Sequence, residues 1–438
     1  MKPLSFKITR LATLVSAIGL GLQQLSAASV LLTGATIHTV SGANLANGSL
    51  LIRDGKIAAI GVRLTEPADK TVDLKGQQLF PGLISPSTVL GLVEIESIRA
   101  TLDTSETGEY TPDVYSWLAV NPDSEHIPTT RANGYTHVEV IPRGGIVSGY
   151  SSAIQLAGWT IEDLAVKRAV ALHVTWPSFV LNTTPRDKAP NKDNWKSIED
   201  QTKERDKRLK EIDEFFNEAE AYAKAKAAAG TNTFHPIPAW EAMIPVIKHE
   251  VPLALHANDI REIRSAVEWS LRRKYRASIM GGRDAWRVAA LLATNRIEVA
   301  LDVVFDRPER DIDSYDVHYT AASILSAAGV KVSFTEGPNR AGASNIRNTP
   351  YDAAQSVAFG LPADEALKGL TLYPAQMLGL ADRLGSIEIG KEASVFAADG
   401  DILDIRTHVT RMWIAGEEVS LESRQTKLYE KFRARPKK

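Results

Sequence analysis

The chain has 438 residues, 44% of them hydrophobic and 24% charged, an ordinary composition for a globular protein long enough to bury a large core. Its net charge is −2 and it has no cysteine. The first fact removes any electrostatic case for nucleic acid or an acidic membrane surface; the second excludes disulfides, thiolate metal sites and a cysteine nucleophile.

The first residues read as a targeting segment. Lys2, Lys7 and Arg10 precede an apolar stretch at 11–22, and Ser26-Ala27-Ala28 offers small residues for cleavage. The apolar run falls short of the roughly 20 residues that a bilayer span takes. The expectation is a signal peptide over 1–28, a periplasmic or secreted mature protein, and no membrane span after processing. An uncleaved anchor is the alternative.

Residues 29–78 are strand-rich, and Asp54-Gly55 between two apolar runs is the signal of a two-residue hairpin turn. The stretch 79–89, broken by Pro81-Gly82, reads as a buried strand running into a loop. From 81 to about 378 strand-like and helix-like stretches alternate. Strands are predicted at 136–141, 152–156, 169–174, 252–257, 277–280, 298–305 and 331–335. Two insertions interrupt them. Residues 94–126 are polar and turn-rich, and 187–226 lead into a helix whose charges mark a solvated face. The tail, 421–438, is a basic amphipathic helix.

Two motifs carry a family resemblance. Pro81-Gly82-Leu83-Ile84 resembles the first-strand motif of the amidohydrolase superfamily, Pro-Gly-Leu-Ile-Asp-x-His-x-His, and Leu384-Gly385-Ser386-Ile387 through Gly390-Lys391 resembles its return motif. Residues 364–375 look like the last barrel helix, and 409–417 like the closing strand. Gly144-Gly145-Ile146-Val147-Ser148-Gly149 is similar to a segment of the exported, imidazolonepropionase-like branch. The resemblance implies an α/β fold: a (β/α)8 TIM barrel over 81–380, with a small β-sandwich domain built from 29–80 and 381–420. It places 94–126 as a lid on the active-site face. It also implies a hydrolase acting on carbon–nitrogen bonds other than peptide bonds, with divalent cations held at the barrel mouth.

The chain departs from that pattern where the chemistry would sit. The motif's Asp falls on Ser85 and its two histidines on Ser87 and Val89; the sixth-strand His falls near Gly281-Gly282, and Ser394 replaces the return-motif Asp. A hydroxyl is a poor zinc ligand and Val is none. Three candidates remain. His256 matches the fifth-strand histidine, His173 stands where the fourth-strand Lys or Glu would be, and Glu336 stands at the eighth-strand base. Pointing inward together, they would make a His-His-Glu set with an open position, a catalytic zinc pattern. The alternatives are a barrel-mouth His256 that binds nothing, a satisfied core His173, and Glu336 paired with Arg340 or Arg347.

The catalytic candidates are therefore Glu336 and His256, and the metal candidates are His173 and His256, for one zinc ion or for none; a two-metal mechanism is not expected. His137 falls early in its strand, at the far end of the barrel. His126, His318 and His408 fall in surface segments. Two readings of function stand. One is a hydrolase of a small-molecule substrate. The other is a catalytically silent relative acting as a binding or partner subunit, as a homo-oligomer or beside an intact paralogue.

Overall fold

The computed structural model describes residues 29–229, 234–302, 304–339 and 341–436. The targeting segment expected over 1–28 lies outside them. In chain order the strands are β1 (Val30–Ile37), β2 (Leu45–Arg53), β3 (Lys56–Gly61), β4 (Lys70–Asp73), β5 (Gln78–Pro81), β6 (Leu83–Thr88), β7 (Tyr135–Val140), β8 (Val147–Tyr150), β9 (Ser152–Gln155), β10 (Ala165–Lys167), β11 (Leu172–Thr175), β12 (Leu253–Ala257), β13 (Ala277–Gly281), β14 (Glu298–Leu301), β15 (Val332–Phe334), β16 (Val395–Ala398), β17 (Val409–Ile414) and β18 (Glu417–Glu418). The fold is mixed α/β. Among the described residues no helix is long and apolar enough to cross a membrane.

One sheet is built from both ends of the chain. Its strands run β18-β17-β16-β5-β1-β2-β3, with β4 paired to β1. The hairpin between β2 and β3 turns at Asp54 and Gly55, whose φ angles of 51° and 75° are what a two-residue turn of this hand requires. The sheet has its own core, in which Leu32, Ile37, Leu50, Leu79 and Val395 pack with the fully buried Trp413.

The stretch expected as one entering strand is two. β5 pairs with β1 and β16 in the two-ended sheet, and β6 pairs with β7 in the next. Gly82 sits between them, pressed against Thr136: a Cβ built there would lie 2.0 Å from Thr136 Oγ1. Gly82→Ala is therefore expected to destabilise the fold by about 1–3 kcal/mol through overpacking, read as a lower urea midpoint with an unchanged slope.

The remaining strands form a four-stranded sheet, β10-β9-β7-β6, and a six-stranded one, β15-β14-β13-β12-β11-β8. β6 and β7 are parallel, and so are β11 to β15 in turn. The chain through β8 and β9 joins the two sets, because β8 pairs with β11 and β9 with β7, both antiparallel. At the far side β15 returns to β6: Ser85 Oγ and Thr335 Oγ1 share a hydrogen bond of 3.0 Å, and Thr335 Oγ1 also donates to the Ser87 carbonyl.

Three expectations need correction. The strand at 152–156 runs antiparallel to its neighbour, since alternation of side chains carries no information on pairing direction. The strand at 298–305 stops at Leu301, just before Asp302. His318 is buried, its Nε2 3.1 Å from the Arg307 carbonyl, because the helix Val317–Ala327 turns that face inward.

The charged helix spans Ile198–Ala228. Ion pairs such as Lys203–Glu199 cover its outer face, while Ile212, Phe216 and Ala219, spaced to share one side, are buried. The insertion at 94–126 lies along β8, with Thr111 N donating to the Val147 carbonyl and Tyr150 N to that of Val114. The C-terminal helix Arg424–Arg433 buries none of its residues.

Candidate functional site

The two predicted histidines come from neighbouring strands and face the same side of the sheet, His173 lying level with Ala254, two residues before His256. His173 is on β11 and His256 on β12, and the parallel register brings their rings together: His173 Nδ1 lies 2.8 Å from His256 Nε2. One of these nitrogens carries the shared proton. Burial pushes both rings down, each to about 3, so both are neutral near pH 7. On its other side His173 Nε2 approaches Glu139 Oε1 at 3.6 Å. Glu139 is fully buried, and burial raises it to about 8, with Ser151 and Lys167 opposing.

The positions of the motif histidines carry no imidazole. Ser87 is buried, its hydroxyl without a hydrogen-bond partner among the described residues, and Val89 is packed in the core. Among the described residues no group of three or more His, Asp or Glu is arranged to hold a metal ion.

Glu336 sits elsewhere. It lines a cavity of about 340 Å³ at the strand ends with Asp302, Asp306, Asp352, Asn258 and Arg283. A neighbouring cavity of about 350 Å³ contains His256 and shares Asn258 and Arg283 with it. Glu336 and His256 therefore line adjoining cavities, and Glu139 is the carboxylate beside the histidine pair. A larger cavity, of about 530 Å³, opens where β12 to β14 begin and contains none of the predicted site residues.

The end of β15 comes this close to β14 because residue 337 is glycine. Gly337 has φ +69°, and a Cβ there would lie 2.3 Å from Asp302 Oδ2. The carboxyls are crowded and half-buried or buried, which sets their protonation. Burial raises Glu336 to about 7, with Asp302 and Asp306 adding to the shift. Burial raises Asp352 to about 8, with Glu336 adding. Asp302 rises to about 6 for the same reason, with Arg283 opposing. Arg283 itself is engaged by Asp306 at 3.0 Å and by Glu309. Glu336 has no ion pair among the described residues; of the two partners expected for it, Arg347 makes none and Arg340 lies outside them.

These shifts give a stability prediction. The folded Asp352 value lies above its ordinary 3.8, so the folded state loses stability relative to the unfolded as pH rises from 3.8 to about 8. Asp352→Asn removes that loss. The thermal midpoint of the variant should match the parent's near the acid end and exceed it increasingly toward pH 8.

Sequence reasoning missed Asp302, Asp352, Glu139 and Asn258. Glu139 had a signal, since it shares a strand face with His137, two residues earlier. Asp302 had one too, had β14 been ended at Leu301. Asp352, in the first turn of the helix Thr349–Ala358, had none.

The model of the amidohydrolase family matches residues 146–421, more than half of the chain. Amidohydrolase tasK from Hapsidospora irregularis is 21% identical over 406 residues, covering 84% of this chain and 39% of that protein. A putative N-acetylgalactosamine-6-phosphate deacetylase from Escherichia coli (strain K12) is 41% identical over 61 residues, 14% of this chain and 34% of that protein. The chain thus spans well under half the length of these curated relatives. The crystal structure of an amidohydrolase from Thermotoga maritima MSB8 superposes with a TM-score of 0.77 at 24% identity, covering 89% of this chain and 99% of that one. A prolidase complexed with N-methylphosphonate-L-proline does so with a TM-score of 0.53 at 16% identity, over 89% and 99%. At such identities the likeness to the solved structures is one of fold. The chain belongs to the amidohydrolase family.

Proposed function

We propose that this protein is a hydrolase of a carbon–nitrogen bond other than an ordinary peptide bond, working from the mouth of a closed (β/α)8 barrel whose two-cation site is degenerate. The observation that carries the reading is the strand-end cavity in which Glu336, Asp302 and Asp352 converge with raised proton affinities. Neighbouring carboxyls held at different protonation levels are what an acid–base pair needs. Glu336, at about 7, is half-ionised at neutral pH and takes a proton from the attacking water. Asp352, at about 8, still holds its proton and gives it to the leaving nitrogen. The Asn258 amide lines the same cavity and donates to the oxygen that gains charge at the attacked carbon.

The side chains do not fit a pair of bridged cations. Ser87 and Val89 replace two imidazoles, and His173 and His256 turn facing nitrogens on each other. In this reading at most one zinc is held, by His173 and His256 after that mutual hydrogen bond breaks, and no step depends on it. The order of strands from β6 round to β15, with β15 bonded back to β6, supports a barrel over 81–380. The two-ended sheet supports a sandwich from 29–80 and 381–420. The glycine-rich segment 144–149, ahead of β8 and within it, supports placement in the imidazolonepropionase-like branch, and the 1–28 segment supports export to the periplasm.

A second reading, a catalytically silent binding subunit, is favoured by the histidine pair, whose facing nitrogens are taken up by each other. Purified protein assayed against cyclic amides, ureas, amidines and N-acyl amines separates the two. Turnover of any member, lost in Glu336→Gln, supports the hydrolase. No turnover across the panel, with or without added zinc, manganese or cobalt, supports the silent subunit.

A further inference from the structure

The strand-end cavity gathers carboxyls that no uncommitted cation among its described lining residues balances. Asp302 follows β14, Glu336 follows β15, and Asp352 enters from the helix Thr349–Ala358. The cation that lines the cavity among the described residues, Arg283, is already committed to Asp306 and Glu309. Asp352 is the telling member. It is only 7% exposed, it lines the cavity, and its carboxyl has no hydrogen-bond or ion-pair partner among the described residues. Leaving a buried carboxyl unpartnered is costly, and a guest that donates to it removes the cost.

The guest has to be positive and larger than a bare ion. The carboxyls are not grouped tightly enough to hold a metal. A cavity of about 340 Å³ has room for a small molecule, and Phe305, 59% exposed, presents an aromatic ring at its lining. Carboxylates beside an open ring are the surroundings that a protonated nitrogen prefers.

We propose that the substrate taken here is an organic cation, with a protonated amine, amidine or guanidinium group next to the bond that is cut. The word substrate rests on the hydrolase reading above; binding of the cation does not. The cation's charge pairs with Glu336 and Asp302 and its N–H groups reach Asp352, while the amide side chains of Asn258 and Asn339 complete the lining.

The test is calorimetric titration of the full chain with agmatine, which carries a guanidinium and an ammonium, and with glutarate, an anion of similar length. Saturable agmatine binding and none for glutarate are expected. Asp352→Asn should weaken agmatine by about tenfold, because the amide cannot give up a proton and become charged beside the bound cation. Phe305→Ala, a surface change that does not threaten folding, should weaken it about two- to fivefold. Absent agmatine binding, equal binding of glutarate, or unchanged affinity in both variants would overturn the proposal. Agmatine binding without turnover of any cationic compound would keep it and remove the hydrolase reading. Turnover confined to neutral or anionic compounds would keep that reading and remove this one.

Discussion

Glu336→Gln is expected to lower hydrolysis by about 10²–10⁴-fold, the usual worth of a positioned general base. The amide has the same shape, so the cavity is kept and the loss falls on turnover rather than on folding. The parent enzyme's kcat/KM should rise with pH as Glu336 loses its proton near 7 and fall as Asp352 loses its own near 8. The sign follows from the roles: the base acts ionised and the acid acts protonated. Residual activity in Glu336→Gln should lose the rising limb and keep the falling one. A profile that keeps both limbs would move the base to another residue.

Trp413→Ala is expected to cost about 3–5 kcal/mol of stability, the upper range for a buried aromatic. Trp413 is fully buried in the core of the two-ended sheet, on a strand that reaches β5 only through β16. Its indole N–H has no hydrogen-bond partner among the described residues, so its contribution is packing rather than hydrogen bonding. The cavity left behind would open between residues that come from opposite ends of the chain, and neither end can close it without moving the other. Equilibrium unfolding in urea measures the cost. A loss under about 1 kcal/mol would mean that the site collapses freely.

What the sequence made legible was local. Asp54-Gly55 set a hairpin, Pro81-Gly82 marked the passage from one sheet to the next, and two expected strands brought His173 and His256 into one neighbourhood. What stayed hidden depends on partners far along the chain. Nothing near His318 says that a carbonyl at Arg307 will receive it. Nothing near Asp352 says that its helix will carry it beside Glu336. Glu139 shares its strand face with His137, but its complete burial comes from neighbouring strands that the local pattern does not name. The divergence at Ser87 and Val89 was legible at once, because a missing ligand can be seen in the motif itself.

The most direct experiment is metal analysis of freshly purified protein alongside hydrolysis in the presence of a chelator. At most one bound zinc per chain is expected, with turnover that survives the chelator but not Glu336→Gln. Two tightly held cations per chain, with activity that vanishes on their removal and returns with them, would contradict it.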